Sequence, residues 1–236
     1  MPADVAIRPV EELAREFVRL VEDAAQRAIA ERGSFSIAVP GGSAAEILLP
    51  ALVGSPIDWA KVEVFWVDER MVPPGDVDAN FRLARAGWLD AVSIPTERIH
   101  RMRGEEAPSV AEAAYARALR GRLGDPARID LVLLGMGGDG HVASLFPGHR
   151  LLRAWDREVA TLDDAPKPPA RRMTLTLKTL TAARTIVVFA IGEAKADAAR
   201  DAIGNEDSEL PVALATMGAG AVTFLLDPAA ASKLPT

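Results

Sequence analysis

Apolar residues recur near the N-terminus at Leu13, Phe17, Leu20, Val21, Ala24, Ala28 and Ile29. Steps of three and four predict a helix with one buried face, and Gly33 is a suitable stop. The pattern then shortens. Phe-Ser-Ile-Ala-Val-Pro (35–40) predicts a buried strand ending at two glycines. Ser-Ala-Ala-Glu-Ile-Leu-Leu-Pro-Ala-Leu (43–52) predicts a helix kinked at Pro50. Residues 62–69 read as a strand, 78–92 and 108–123 as helices, and 129–135 as a third buried strand. Gly124-Asp125-Pro126 ends the second of those helices. Beyond them, 172–177 alternates as a strand does, 185–192 is an apolar strand, 193–203 a helix and 221–227 the last strand, followed by a short Ala-rich segment.

Strands alternate with helices, and most of the strands are apolar on both faces. That combination predicts an α/β fold with a mostly parallel sheet covered by helices on each side. No long linker, composition break or internal repeat interrupts the chain, so residues 1–236 are expected to form one domain. In such sheets ligands sit at the C-terminal ends of the strands. The turns at 40–43, 67–70 and 135–141 all follow strands and are expected to converge there.

Composition narrows the function classes. Of 236 residues, 49% are apolar and 25% charged, as in ordinary soluble proteins. The net charge of −6 gives no general attraction to nucleic acid or to an anionic membrane. An anionic ligand must therefore be held by a local cluster of cations and backbone N–H groups. The absence of cysteine excludes disulfides, thiolate nucleophiles and Cys-ligated zinc. Three histidines, none four apart on a helix, give little support to a His-based metal site. No apolar run is long enough to span a bilayer, and the N-terminus lacks the form of a signal peptide. A cytoplasmic location is the expectation.

Three turns carry candidate chemistry. In the first, Gly135, Gly137 and Gly140 stand at G-x-G-x-x-G spacing, which raises a dinucleotide site. Asp139 inside that turn would repel phosphate, and no clean strand precedes Glu158 or Asp163, the acidic residues about 20 positions on. The glycines serve equally as a tight connection. His141, at a strand's C-terminal end, is suited to act as a base near neutral pH. In the second turn, Ser43 and Glu46 fit a capping box, while Gly41 and Gly42 allow close backbone approach to an anion. In the third, Arg70 offers a fork for phosphate oxygens, with Asp68 or Glu69 to hold it, against the plainer reading of an exposed ion-pair loop. Lys195 begins the helix after strand 185–192, and Arg171 or Arg172 enters the site region from the proline-rich loop 165–172. His100 and His149 are expected to be structural or surface residues.

Taken together, Val-Pro-Gly-Gly-Ser (39–43), the run 65–81 and Ile-Asp-Leu-Val-Leu-Leu-Gly-Met-Gly-Gly-Asp-Gly-His-Val-Ala-Ser-Leu-Phe-Pro-Gly (129–148) resemble the 6-phosphogluconolactonases. Weaker matches at 171–177, 192–198 and 225–232 fall in the same order, so the resemblance spans most of the chain. Two positions depart from the family pattern: Val142 stands where Thr is common, and Ala79 where Ser precedes the Asn. The resemblance implies a three-layer α/β/α sandwich with a Rossmann-like, mostly parallel sheet. It implies hydrolysis of 6-phospho-D-glucono-1,5-lactone without cofactor or metal, by a monomer or small homo-oligomer. His141 would be the general base, with Asp139 orienting it or favouring its protonated form. Gly41, Gly42, Ser43, Asp68, Arg70, Asn80, Arg172 and Lys195 would form the substrate- and phosphate-binding set. An amino-sugar-phosphate isomerase/deaminase on the same fold and a non-catalytic sugar-phosphate sensor are the competing readings. The segment after His141 lacks the acidic residue of the former, and a mere binder has little use for a base at that turn.

Overall fold

The computed structural model describes residues 3–235. Among these, nine strands form two sheets: β1 (Asp4–Ile7), β2 (Phe35–Val39), β3 (Val62–Trp66), β4 (Asp68–Arg70), β5 (Leu131–Gly135), β6 (Val159–Leu162), β7 (Arg172–Leu175), β8 (Thr185–Ala190) and β9 (Ala221–Leu226). The larger sheet has the order β1-β9-β8-β5-β2-β3, and every pair in it is parallel. Strands β2 and β3 are buried along their whole length, and β5 up to Gly135, as expected for a sheet covered on both faces. The smaller sheet, β4-β7-β6, is antiparallel.

The site follows from the order of the larger sheet. From β2 the chain moves to β3 on one side, and it later returns to place β5 on the other. The order reverses between β2 and β5, and such a reversal opens a crevice beyond the carboxyl ends of the two strands. The turns after β2 and β5 are the two glycine-rich ones.

The segment 62–70 serves both sheets, so the single expected strand is in fact two. Val67 separates them. Its N–H donates to Val39 O (3.0 Å) and its carbonyl accepts from Leu175 N (2.8 Å). The outer edge of β3 is closed by side chain and loop. The buried Tyr115 hydroxyl accepts from Trp66 N (2.7 Å) and donates to Trp66 O (2.9 Å), and His100 N donates to Val64 O (2.8 Å).

Seven α-helices accompany the strands in the described residues: α1 (Val10–Arg32), α2 (Gly42–Leu48), α3 (Asn80–Gly87), α4 (Pro108–Leu123), α5 (Leu177–Thr181), α6 (Ala196–Gly204) and α7 (Pro211–Thr216). Helix α1 buries Leu13, Phe17, Val21, Ala24, Ala25 and Ala28 and ends where Gly33 turns left-handed at φ 77°. Helix α2 does not continue through Pro50 as a kinked helix. It stops at Leu48, and Pro50–Leu52 form a separate 3-10 turn. The capping box is not formed either. Gly41 caps the helix, with no side-chain hydrogen bond, and Gly42 at φ 61° places Ser43 already inside the first turn. The helix expected over 78–92 begins at Asn80 and finishes as a 3-10 turn, Leu89–Ala91. Strands β1 and β6 and helices α5 and α7 have no counterpart in the sequence reading. All four are six residues or shorter, too short for a period to register.

Replacing Tyr115 by Phe leaves the buried Trp66 N–H and carbonyl without this partner, which costs about 1–3 kcal/mol. Urea unfolding of Tyr115→Phe should show a lower midpoint at unchanged slope, and an unchanged midpoint would mean that the hydroxyl does not hold the β3 edge.

Candidate active site

The turn after β5 is built around the pair Asp139–His141. Gly137 N donates to His141 O (2.8 Å) and Gly140 N to Gly137 O (3.0 Å), which reverses the chain within a few residues. A Cβ on Gly137 would overlap the His141 imidazole, so only glycine allows the ring to fold back over the turn. His141 Nδ1 lies 2.5 Å from Asp139 Oδ1. A neutral ring therefore carries its proton on Nδ1, donates it to the carboxylate, and keeps the Nε2 lone pair free. Burial lowers the His141 pKa below its ordinary value, opposed by Asp139 and assisted by the charge of Lys167. Burial would raise the Asp139 pKa, but the hydrogen bond and charge of His141 hold it below the ordinary carboxylate value. No helix follows this turn. Met136 bridges to Val142, and Val142 to Leu145, through a reversal with Ala143 at φ 51°. The G-x-G-x-x-G spacing thus lacks the helix N-terminus a pyrophosphate needs. A strand, β6, does lie between Glu158 and Asp163, but it belongs to the antiparallel sheet.

That reversal turns Ser144 inward. Its fully buried hydroxyl donates to Asp68 Oδ2 (2.7 Å). The buried Asn80 donates through Nδ2 to Asp68 O (2.9 Å) and Oδ1 (3.2 Å). Arg172 Nη1 approaches Asp68 Oδ2 at 3.9 Å. A Cβ on Gly41 would overlap the Asn80 carboxamide, so the turn after β2 presses directly on this cluster. Gly41, Asp68, Asn80 and Arg172 are thereby brought together with the turn that carries His141.

The structure gives the charged residues different surroundings from those expected. Neither Asp68 nor Glu69 pairs with the Arg70 guanidinium. Arg70 Nη1 donates to Asp78 O (2.8 Å), and its Nε is buried with no partner among the described residues. Arg70 lines a cavity of about 260 Å³ with Gly42, Glu46, Asn80 and Arg82. Glu69 instead accepts from the backbone N–H groups of Arg70 (2.8 Å), Asn80 (2.7 Å) and Phe81 (2.8 Å) and so holds the start of α3. Burial, against these three donors, pushes its pKa up to about 7. Arg172 turns its donors to the backbone: Nε to Pro169 O and Nη2 to Lys167 O, both 3.0 Å. Its neighbour Arg171 is exposed and borders a different cavity with Met71 and Arg150. Lys195 is half-buried, and its pKa is lowered by burial and by Lys167, while Asp139 raises it. A Cβ on Gly138 would lie 2.6 Å from Ala194 O, which shows how closely the Lys195 turn packs on the His141 turn. Ser43 is exposed in the first turn of α2.

Ser144 and Lys167 were not singled out by sequence, and Glu69 only as a partner for Arg70. Ser144 and Lys167 both lie in segments noted for other residues, the His141 turn and the arginines of the proline-rich loop. His100 and His149 are engaged elsewhere, His100 with Glu63 (2.6 Å) and Phe65, His149 with Asp164 (3.0 Å). Among the described residues, no group of three or more His, Asp or Glu side chains is arranged to hold a metal ion.

The geometry can be set beside known proteins. The family described as glucosamine-6-phosphate isomerases/6-phosphogluconolactonase matches residues 8–224. The chain belongs to this family. A 6-phosphogluconolactonase of Streptomyces coelicolor is 39% identical over 87% of this chain and 84% of its own length. One of Mycobacterium tuberculosis is 39% identical over 89% of each. The solved 6-phosphogluconolactonase of Trypanosoma brucei superimposes with a TM-score of 0.85 at 27% identity, covering 99% of both chains. The fold is the family's α/β/α sandwich around a mostly parallel sheet, and the dyad lies in the most specific of the matching motifs.

The pKa shifts are open to direct measurement. An NMR titration of His141 should give a pKa below 6.5. Asp139 raises the imidazole pKa, so Asp139→Asn should move it lower still, and a rise would contradict the pairing described here.

Proposed function

We propose that this protein hydrolyses 6-phospho-D-glucono-1,5-lactone to 6-phospho-D-gluconate, the lactone-opening step of the oxidative pentose phosphate pathway. The observation that carries the reading is His141, with Nδ1 committed to Asp139 and Nε2 left as a base at the switch point of the sheet. We further propose that the chain works in the cytoplasm as one domain, without a metal.

The residues divide the task. Nε2 of His141 takes a proton from water as its oxygen adds to the lactone carbonyl carbon, C1. The bond from C1 to the ring oxygen then breaks, and the imidazolium returns the proton to that oxygen. Asp139 holds the ring in the correct tautomer and stabilises the imidazolium between the two steps. Arg70 and Lys195, with the backbone of Gly42 and Ser43, hold the 6-phosphate. Asn80 and Asp68 keep the Gly41 turn and the His141 turn in register. Holding the phosphate fixes the ring, so binding energy remote from C1 serves orientation. A cyclic ester of this kind is reactive enough to need no covalent intermediate. The segment 142–147 holds no carboxylate, and Asp68 is already engaged, so the second acid of an isomerase/deaminase has no counterpart here.

Lactone generated in place by glucose-6-phosphate dehydrogenase should disappear faster with the protein than without it, and equal rates would sink the proposal. His141→Ala should lower kcat by ~10²–10⁴-fold, while Arg70→Ala should chiefly raise KM. The base must be neutral to act and its pKa is lowered, so the acid limb of kcat/KM should have its midpoint below the ordinary imidazole value of 6.5. A midpoint above 6.5 would assign the base elsewhere.

A further inference from the structure

The lactone reading leaves one nearby charge without a role. Lys167 stands exposed on the loop between β6 and β7. Its charge reaches both His141 and Lys195 and depresses the pKa of each. The loop is tied down. Ala165 N donates to Ala170 O (3.1 Å) across its base, and Arg172 binds the carbonyls of Lys167 and Pro169, each at 3.0 Å. The Arg172 guanidinium lies 5.9 Å from the centre of the Phe146 ring, and that ring lies 4.9 Å from the centre of the His141 imidazole. The backbone of Lys167 is therefore referenced to the base. Arg70, by contrast, lines a cavity with Gly42 and Asn80.

Attack at C1 moves the carbonyl π pair onto oxygen. An oxyanion there is stabilised by preorganised donors or positive charge, and Asp139, the other charge of the dyad, has the wrong sign. We propose that Lys167 is a further catalytic residue, its ammonium contacting the C1 oxygen and stabilising the oxyanion, with Arg172 as its positioning residue. The assignment rests on the lactonase reading. Lys167 neither gains nor loses a proton. The negative charge leaves C1 oxygen when the bond to the ring oxygen breaks, and the ring oxygen is protonated by His141.

The test compares Lys167→Met and Lys167→Arg with the parent enzyme. Lys167→Met should lower kcat by ~10²-fold, and Lys167→Arg should recover part of the loss. Calorimetry should show 6-phosphogluconate, which carries a carboxylate at C1, bound about tenfold more weakly by Lys167→Met. Glucitol 6-phosphate, which lacks that carboxylate, should bind as before. By NMR the His141 pKa should rise in Lys167→Met, because a neighbouring cation is gone. Equal weakening of both ligands would move Lys167 to the phosphate and overturn the proposal, as would an unchanged kcat. Failure of the parent enzyme to hydrolyse the lactone would instead remove the reading on which the proposal rests.

Discussion

The buried carboxylate of Asp68 is the constraint on which the site depends. It receives Ser144 from the His141 turn, Asn80 from the start of α3, and the Arg172 guanidinium from β7. Asn80 in turn fills the space beside Gly41. Four segments distant in sequence are held by one side chain. A buried carboxylate is costly unless its oxygens are satisfied, so these partners are not interchangeable with apolar groups. Loss of any one leaves a charge in the interior with fewer donors, and the penalty falls on all four segments together.

The same economy of contact explains how one edge of the sheet brings together His141 and the residues proposed to bind the anion. The switch point between β2 and β5 supplies the crevice, and Asp68 sets the distance across it. The dyad is local, two residues apart on one turn, and needs the tertiary structure only to be buried. Burial does matter, because it lowers the pKa of the imidazole while the Asp139 hydrogen bond keeps its tautomer. Glu69 shows a similar division. Its neighbour Asp68 faces the site, while Glu69 turns to three backbone N–H groups and secures the helix that presents Asn80. Two adjacent carboxylates on a strand point to opposite faces, and here each face has a task.

Much of this was legible in the chain. The period of Leu13 to Ile29 and the uninterrupted apolar runs of β2, β5 and β8 announced their elements, because burial on one or both faces leaves a repeat long enough to read. The dyad was legible because His141 is one of three histidines and stands in a glycine-rich turn after a buried strand. The elements that escaped, β1, β6, α5 and α7, are short. The capping box at Ser43 failed because Gly42 starts the helix earlier than the pattern suggested. The pairing of Arg70 with Asp68 or Glu69 failed because both carboxylates are taken by partners outside the strand, Ser144 and Asn80 for Asp68 and the start of α3 for Glu69.

What the sequence by itself determined is therefore the kind of protein: alternating strands and helices, a parallel sheet, and a histidine mounted on a turn at a strand's end. These rest on local periodicity and on the conformational freedom of a few glycines, both written in neighbouring residues. Only the tertiary structure decided that 62–70 passes between two sheets at Val67 and that Ser144 meets Asp68. It also decided that Arg172 grips a loop rather than facing outward, and that Lys167 comes within electrostatic reach of His141. Each of these joins residues far apart in the chain, and the hydrogen bonds that join them are selected by burial, which removes water as the competing partner and appears only when the whole fold has closed.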